Sequence, residues 1–176
     1  MTALTGREAA KRRLMFVPGE DFYFLTYTLI IVLSELSANA PERPFRDSRK
    51  VAYIADLLGG DSDLRLVTTS APLSSFGKAR LALLYDRAVA RRAAVQRIVD
   101  ALHTRGLISI ARSETIDCLH LLEKQDVKAL LNEPLLQEER TRLKRLRGII
   151  PQLRTMTLET LKQRLFDDRE VRTWGD

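Results

Sequence analysis

Hydrophobic positions along this chain follow two different periods, and the switch between them marks its organisation. Phe22 to Leu33 (FYFLTYTLIIVL) is apolar on nearly every side, interrupted only by Thr26 and Thr28, and predicts a core helix ending near Leu36 or Ala38. Pro18–Gly19 precedes it, and Glu20 and Asp21 place negative charge where a helix N-terminus favours it. The run is well short of the ~20 apolar residues a bilayer span needs, so no membrane contact is expected. A helix apolar all round needs cover on several sides, from this chain or from another protein.

Asn39 to Pro44 reads as a turn, and Asp47 or Ser48 can cap a second helix carrying Val51, Ile54, Ala55 and Leu58 at helical spacing, closed by Gly59–Gly60. Residues 61–73 (DSDLRLVTTSAPL) read as a loop with a short strand at Leu64–Val67. A long helix is expected from Ser75 to Thr104, with Leu81, Leu84, Ala88, Val95, Ile98, Val99 and Leu102 as its apolar stripe and Gly106 as its stop. The period then changes. Leu107–Ile110 and Thr115–Leu121 flank a polar turn at Ser113–Glu114, the pattern of a β-hairpin. Beyond Lys124 helical spacing returns: a short helix from Asp126 to Leu131, one opened by Pro134 and running through Arg147–Gly148, and, after Pro151, a last one with Leu158, Leu161, Leu165 and Phe166.

Helix, helix, long helix, glycine, hairpin is the order of a winged helix-turn-helix. The fold expected is therefore mainly α: a winged helix-turn-helix core with one β-hairpin and a C-terminal helical extension. Its parts are a basic N-terminal segment over 1–17 (Arg7, Lys11, Arg12, Arg13), a winged-helix-like domain over 18–123 and the extension over 124–176. A length of 176 residues and 45% hydrophobic content suit one such unit with a real core.

Composition narrows the chemistry. Aromatics at 6% are too few for a base-stacking platform, and 29 Lys+Arg against 23 Asp+Glu leave +6, enough to touch phosphates but small for a protein that coats DNA. One cysteine and two histidines exclude an intrachain disulfide framework and a thiolate or imidazole-rich zinc site built by this chain alone. A reducing, cytoplasmic location is expected, and Met1 to Arg13 shows no apolar signal-peptide run. There is no phosphate-binding Gly-rich loop and no nucleophile elbow. Cys118 and His120 share one side of a strand, and Asp61 and Asp63 lie near each other in a loop; a half-buried strand and a solvated loop explain both pairs. No catalytic residue, cofactor or metal is assigned.

At the join of the long helix and the hairpin, the segment from Ala88 to Ile108 (AVARRAAVQRIVDALHTRGLI) resembles the signature of the small middle components of bacterial ABC-ATPase three-component systems, including Lamassu-type anti-phage defence systems. Arg49 to Asp56 is similar to that family's second helix, and Ala71-Pro-Leu73 to its proline-bearing loop. The loop after the second helix is shorter than the family's, and the hairpin turn has Ser113–Glu114 where a glycine is usual. The resemblance implies a non-catalytic adaptor binding an SMC-like ABC ATPase and a nuclease-type effector subunit, with DNA reached through the complex. The alternative is a winged-helix transcriptional regulator that binds operator DNA as a dimer.

Three groups of residues are candidates for contact with partners. Arg91 falls on the apolar stripe of the long helix and Arg92 borders it. A charge there is costly unless paired, so a structural ion pair, a snorkelling side chain, a partner interface and a phosphate contact are the readings to separate. Leu158, Leu161, Leu165, Phe166 and Trp174 belong to the core or form a docking element. Arg140, Arg142, Lys144, Arg145 and Arg147 form a solvated face steadied by pairs such as Glu138–Arg142, or the best DNA-facing patch in the chain.

Overall fold

The computed structural model describes residues 22–36, 42–113, 116–122 and 124–171. The basic segment 1–17, Pro18–Gly19 with Glu20 and Asp21, the first part of the Asn39–Pro44 turn, Glu114 of the hairpin turn and Trp174 lie outside the described residues.

Helix α1 (Phe22–Glu35) buries Leu25, Thr28 and every residue from Leu29 to Leu33. Its cover comes from its own chain: α2 (Lys50–Gly59), the long α4 (Ser75–Thr104), strand β3 (Ile116–Leu121) and α6 (Gln137–Ile149) all pack on it. Only its first turn, Phe22 and Tyr23, presents aromatic rings to solvent. Helix α2 is buried along its whole length to Leu58, so it forms the centre of the molecule rather than a half-exposed layer.

Residues 61–68 depart from the sequence reading. They form a helix, α3 (Asp61–Thr68), rather than a loop with a strand. Asp61 and Asp63 occupy its first turn, where negative charge is favoured, and Leu64 and Val67 are buried three residues apart. That spacing is helical. The extended backbone of Gly60 separates α2 from α3.

Helix α4 spans the expected residues, and Ser74 caps it by accepting the Gly77 N–H at 3.1 Å. Leu81, Leu84, Tyr85, Ala88, Val95, Ile98, Val99 and Leu102 form its buried side. Its end is a Schellman turn: Gly106 has φ +63°, its N–H donates to His103 O, and Leu107 N–H reaches back to Leu102 O. This turn delivers the chain directly into β2 (Ile108–Ser113), which pairs antiparallel with β3 from Ile108↔Leu121 to Ser113↔Ile116. The sheet has a third strand that periodicity does not reveal, the two-residue β1 (Phe45–Arg46) on the far side of β3, giving the order β1-β3-β2. A short strand after the first helix, joined to the outer side of a hairpin that follows the long helix, gives a winged-helix-like fold with one helix, α3, inserted before α4.

The C-terminal part adds α5 (Gln125–Leu131), a 3₁₀ turn at Pro134–Leu136, α6, α7 (Leu158–Leu165) and a 3₁₀ turn at Asp167–Arg169. Leu143, Leu146, Leu153, Leu161, Leu165 and Phe166 join the same continuous core as α1, α2 and α4. Edge-to-face contacts of Tyr53, Tyr85 and Phe166 connect α2, α4 and the end of α7.

Candidate functional site

Arg91 resolves into one of its four readings. Its Nη1 donates to Asp56 Oδ1 at 2.7 Å, while Arg87 Nη2 lies 3.2 Å from the same oxygen. Asp56 comes from the buried α2 and is 6% exposed, so the pair is an internal tie between α2 and α4. Arg92 is half-buried and also has a partner. Beside this pair, Arg80 forks onto both oxygens of Asp63 at 2.8 Å, tying α3 to α4. The second oxygen of Asp56 has no hydrogen-bond partner. Burial pushes its carboxyl up to about 6, with Arg87 pulling the other way and Asp63 adding to the rise.

A carboxyl held above its ordinary 3.8 in the native state contributes stability that is complete in acid and lost as pH rises through 6. The difference in unfolding free energy between the wild type and Asp56→Asn is therefore expected to fall by about 2–3 kcal/mol from pH 4 to 6.5, read by urea titration at each pH. A flat difference curve rejects the assignment.

In the basic run of α6, Arg140 and Arg142 turn inward while Lys144, Arg145 and Arg147 stay exposed. Arg140 Nε meets Glu35 at 2.5 Å and its Nη1 donates to Leu131 O. Arg142 donates to Leu58 O at 3.0 Å and pairs with Asp61 at 3.2 Å and, as the sequence suggests, with Glu138 at 3.3 Å. Arg145 also reaches Asp61, at 3.4 Å, Lys144 lies 3.8 Å from Glu35, and Arg147 donates to Glu35 O. The acids that match these cations stand on α1 and α3, far away in sequence. Three of the guanidinium groups also serve carbonyls at or beyond the C-terminal ends of α1, α2 and α5, which a helix leaves unsatisfied. Asp61 and Asp63 are thus arginine partners.

A second buried cluster, which sequence reasoning passed over, pins the C-terminal segment. Lys50 is fully buried; its Nζ donates to Leu153 O at 2.6 Å, Met156 O at 2.7 Å and Arg154 O at 3.3 Å, and lies 4.4 Å from the centre of the Phe45 ring. Three donors meet three carbonyls. Asp47 is 1% exposed, sits at φ +67°, accepts both fork bonds of Arg49 at 2.8 and 2.9 Å, and accepts the Leu158 N–H at 3.0 Å. It therefore caps α7 rather than α2, whose first turn has no side-chain cap. Burial pushes the Asp47 carboxyl up, but the Arg49 fork and the Leu158 N–H together bring it below the ordinary range. The signal in the sequence was a lysine opening a helix that is otherwise wholly apolar as far as Ile54.

Leu158, Leu161, Leu165 and Phe166 are all buried in the core, so the face they form is packed within the chain; Met156 is buried beside them. Cys118 and His120 are half-buried on β3, and His103 Nδ1 lies 3.2 Å from Ile108 O. Among the described residues no three His, Cys, Asp or Glu side chains converge as a metal site requires.

An open groove of about 640 Å³ lies between the end of α3, the end of α6 and α7. Val67, Pro72, Leu73 and Ile150 line it, and Ile149, 45% exposed, stands at its edge. Arg169 closes one wall, donating to Leu66 O, Val67 O and Thr69 O at 2.6–3.2 Å, and Lys78 pairs with Glu170 at 2.6 Å on another. The groove mixes these apolar side chains with Thr69, Ser70 and charges of both signs, including Lys78, Arg164, Asp168, Arg169 and Glu170, a mixed surface of the kind that protein interfaces share.

No model of a known family, no curated protein and no solved structure matches this chain.

Proposed function

We propose that this chain is a non-catalytic adaptor subunit of a prokaryotic anti-phage defence complex, joining an SMC-like ABC ATPase to a nuclease-type effector. The resemblance of Ala88–Ile108 to the middle components of such systems supplies the identity of the partners. The observation that carries the choice of adaptor over regulator is the outward face of α4. A winged helix that reads DNA turns a basic, polar helix toward the major groove. Here that face, over its second half, presents Ala90, Ala93, Arg97, Asp100, Ala101 and Thr104, small residues with one cation set against one anion. Of the α6 cations, Arg140 and Arg142 are committed to Glu35, Asp61 and helix-end carbonyls, and the exposed Lys144, Arg145 and Arg147 stand beside the same acids or the end of α1. The groove at Ile149 supports a role in gripping a protein.

Co-expression with the genes beside it tests this reading. The expected result is co-purification of a large ATPase, reduced at least about ten-fold by Ile149→Asp, an exposed position whose change leaves the fold intact. Sequence-specific duplex binding by the isolated chain, with a salt slope of about 0.9 per phosphate contacted and no ATPase recovered, establishes the operator-binding regulator instead.

A further inference from the structure

Along α4 the positions turned away from the core are Phe76, Ala79, Leu83, Asp86, Ala90, Ala93, Arg97, Asp100 and Thr104, and every one is exposed. Their spacing alternates three and four without a break from end to end. That is the spacing at which two packed helices meet, and it runs for about 42 Å at the α-helical rise. Phe76 is 79% exposed and Leu83 49%, costly placements for large apolar side chains in a helix whose other side supplies the core.

The charges on the seam specify what covers it. Asp86 and Arg97 are the two charged seam residues nearest the middle of the stripe, and among the described residues neither has an ion-pair partner. Asp86 stands four positions before Ala90, and Arg97 four positions after Ala93. When two copies of α4 lie antiparallel about a two-fold axis between Ala90 and Ala93, Asp86 of each copy meets Arg97 of the other. Ala90 then faces Ala93 of the second copy, and small side chains at the axis let the two helices approach closely. Leu83 faces Asp100 of the second copy, which lands beside the 44%-exposed Arg87, and Ala79 faces Thr104. One register thus pairs both central charges twice and places the small residues where the helices cross, as a self-complementary interface requires. A parallel arrangement sets Asp86 against Asp86 and Arg97 against Arg97. We infer that the outward seam of α4 from Ala79 to Thr104 is covered by a second copy of this chain, packed antiparallel through Asp86–Arg97 pairs.

This inference does not rest on the adaptor reading, and sedimentation of the isolated full chain from about 1 to 200 µM tests it alone. The wild type is expected to pass from monomer to dimer across that range. Leu83→Glu raises the dissociation constant about 100-fold. Asp86→Arg and Arg97→Asp each raise it about ten-fold by opposing like charges, and the chain carrying both changes returns to within about three-fold of wild type. All three positions are exposed, and an unchanged thermal melt of the variants diluted to monomer confirms that they fold. A chain that stays monomeric throughout, a dimer indifferent to Leu83→Glu, or a charge reversal that fails to recover overturns the proposal.

Discussion

Lys50→Met is expected to lower the unfolding free energy by about 3–5 kcal/mol, read from urea or thermal denaturation at neutral pH. Methionine fills most of the same volume, so little of the loss is a cavity. What it leaves behind are the buried carbonyls of Leu153 and Met156, while that of Arg154 keeps the Arg46 N–H at 3.0 Å. Burial pulls the lysine from its ordinary 10.5 to about 7, with Asp47 opposing and Arg46 and Arg154 reinforcing the drop. A depressed lysine makes the native chain release its proton before the unfolded chain does. Wild-type stability therefore rises with pH between about 7 and 10.5, and the gain is lost as pH falls through 7. Lys50→Met removes that slope as well as the stability. A variant within about 0.5 kcal/mol of wild type shows that the carbonyls find other donors and that the lysine is no clamp.

The second large effect concerns the tie between α2 and α4. Asp56→Ala is expected to cost about 3–4 kcal/mol, because Arg91, 13% exposed at its side chain, is left without its carboxylate. The loss belongs to the broken pair and not to the absence of charge. Replacing both partners by apolar residues of similar size, Asp56→Leu with Arg91→Met, is expected to recover stability to within about 1 kcal/mol of wild type. Denaturant titration of the two single variants and the double variant separates these outcomes. If the double variant is as unstable as Asp56→Ala, the ion pair supplies geometry that packing cannot replace.

The elements legible in the sequence were those whose periodicity extends over several turns. Leu81 to Leu102 keeps one face for six turns and Gly106 marks the stop, so the extent of α4 was readable; the Ser74 cap was not part of that signal. The need for an acid beside Arg91 was equally readable, since a guanidinium on a core stripe has few stable solutions. Which acid was not readable. Asp56 lies off the Val51–Ile54–Leu58 face, and only the complete burial of α2 brings it to the interface. Helix α3 was hidden because Asp-Ser-Asp and Thr-Thr-Ser carry loop composition, and eight residues offer just two buried apolar positions to reveal a period. Strand β1, two residues long, has no period at all. The distant partners of the α6 cations were not readable for a related reason. A run of Arg and Lys looks like an external patch until the chain folds Glu35 and Asp61 back onto it.

The clamp around Lys50 and Asp47 also sets an order of events during synthesis. Lys50 meets Met156 across 106 residues of chain, and Asp47 meets Leu158 across 111. A nascent polypeptide that has emerged only through α6 already contains every strand and the whole of α4, yet the backbone that receives its Lys50 ammonium and Asp47 carboxylate has not emerged. Contacts this far apart close late. The central helix can be sealed only once the start of α7 is free to fold, so its two buried charges are covered late.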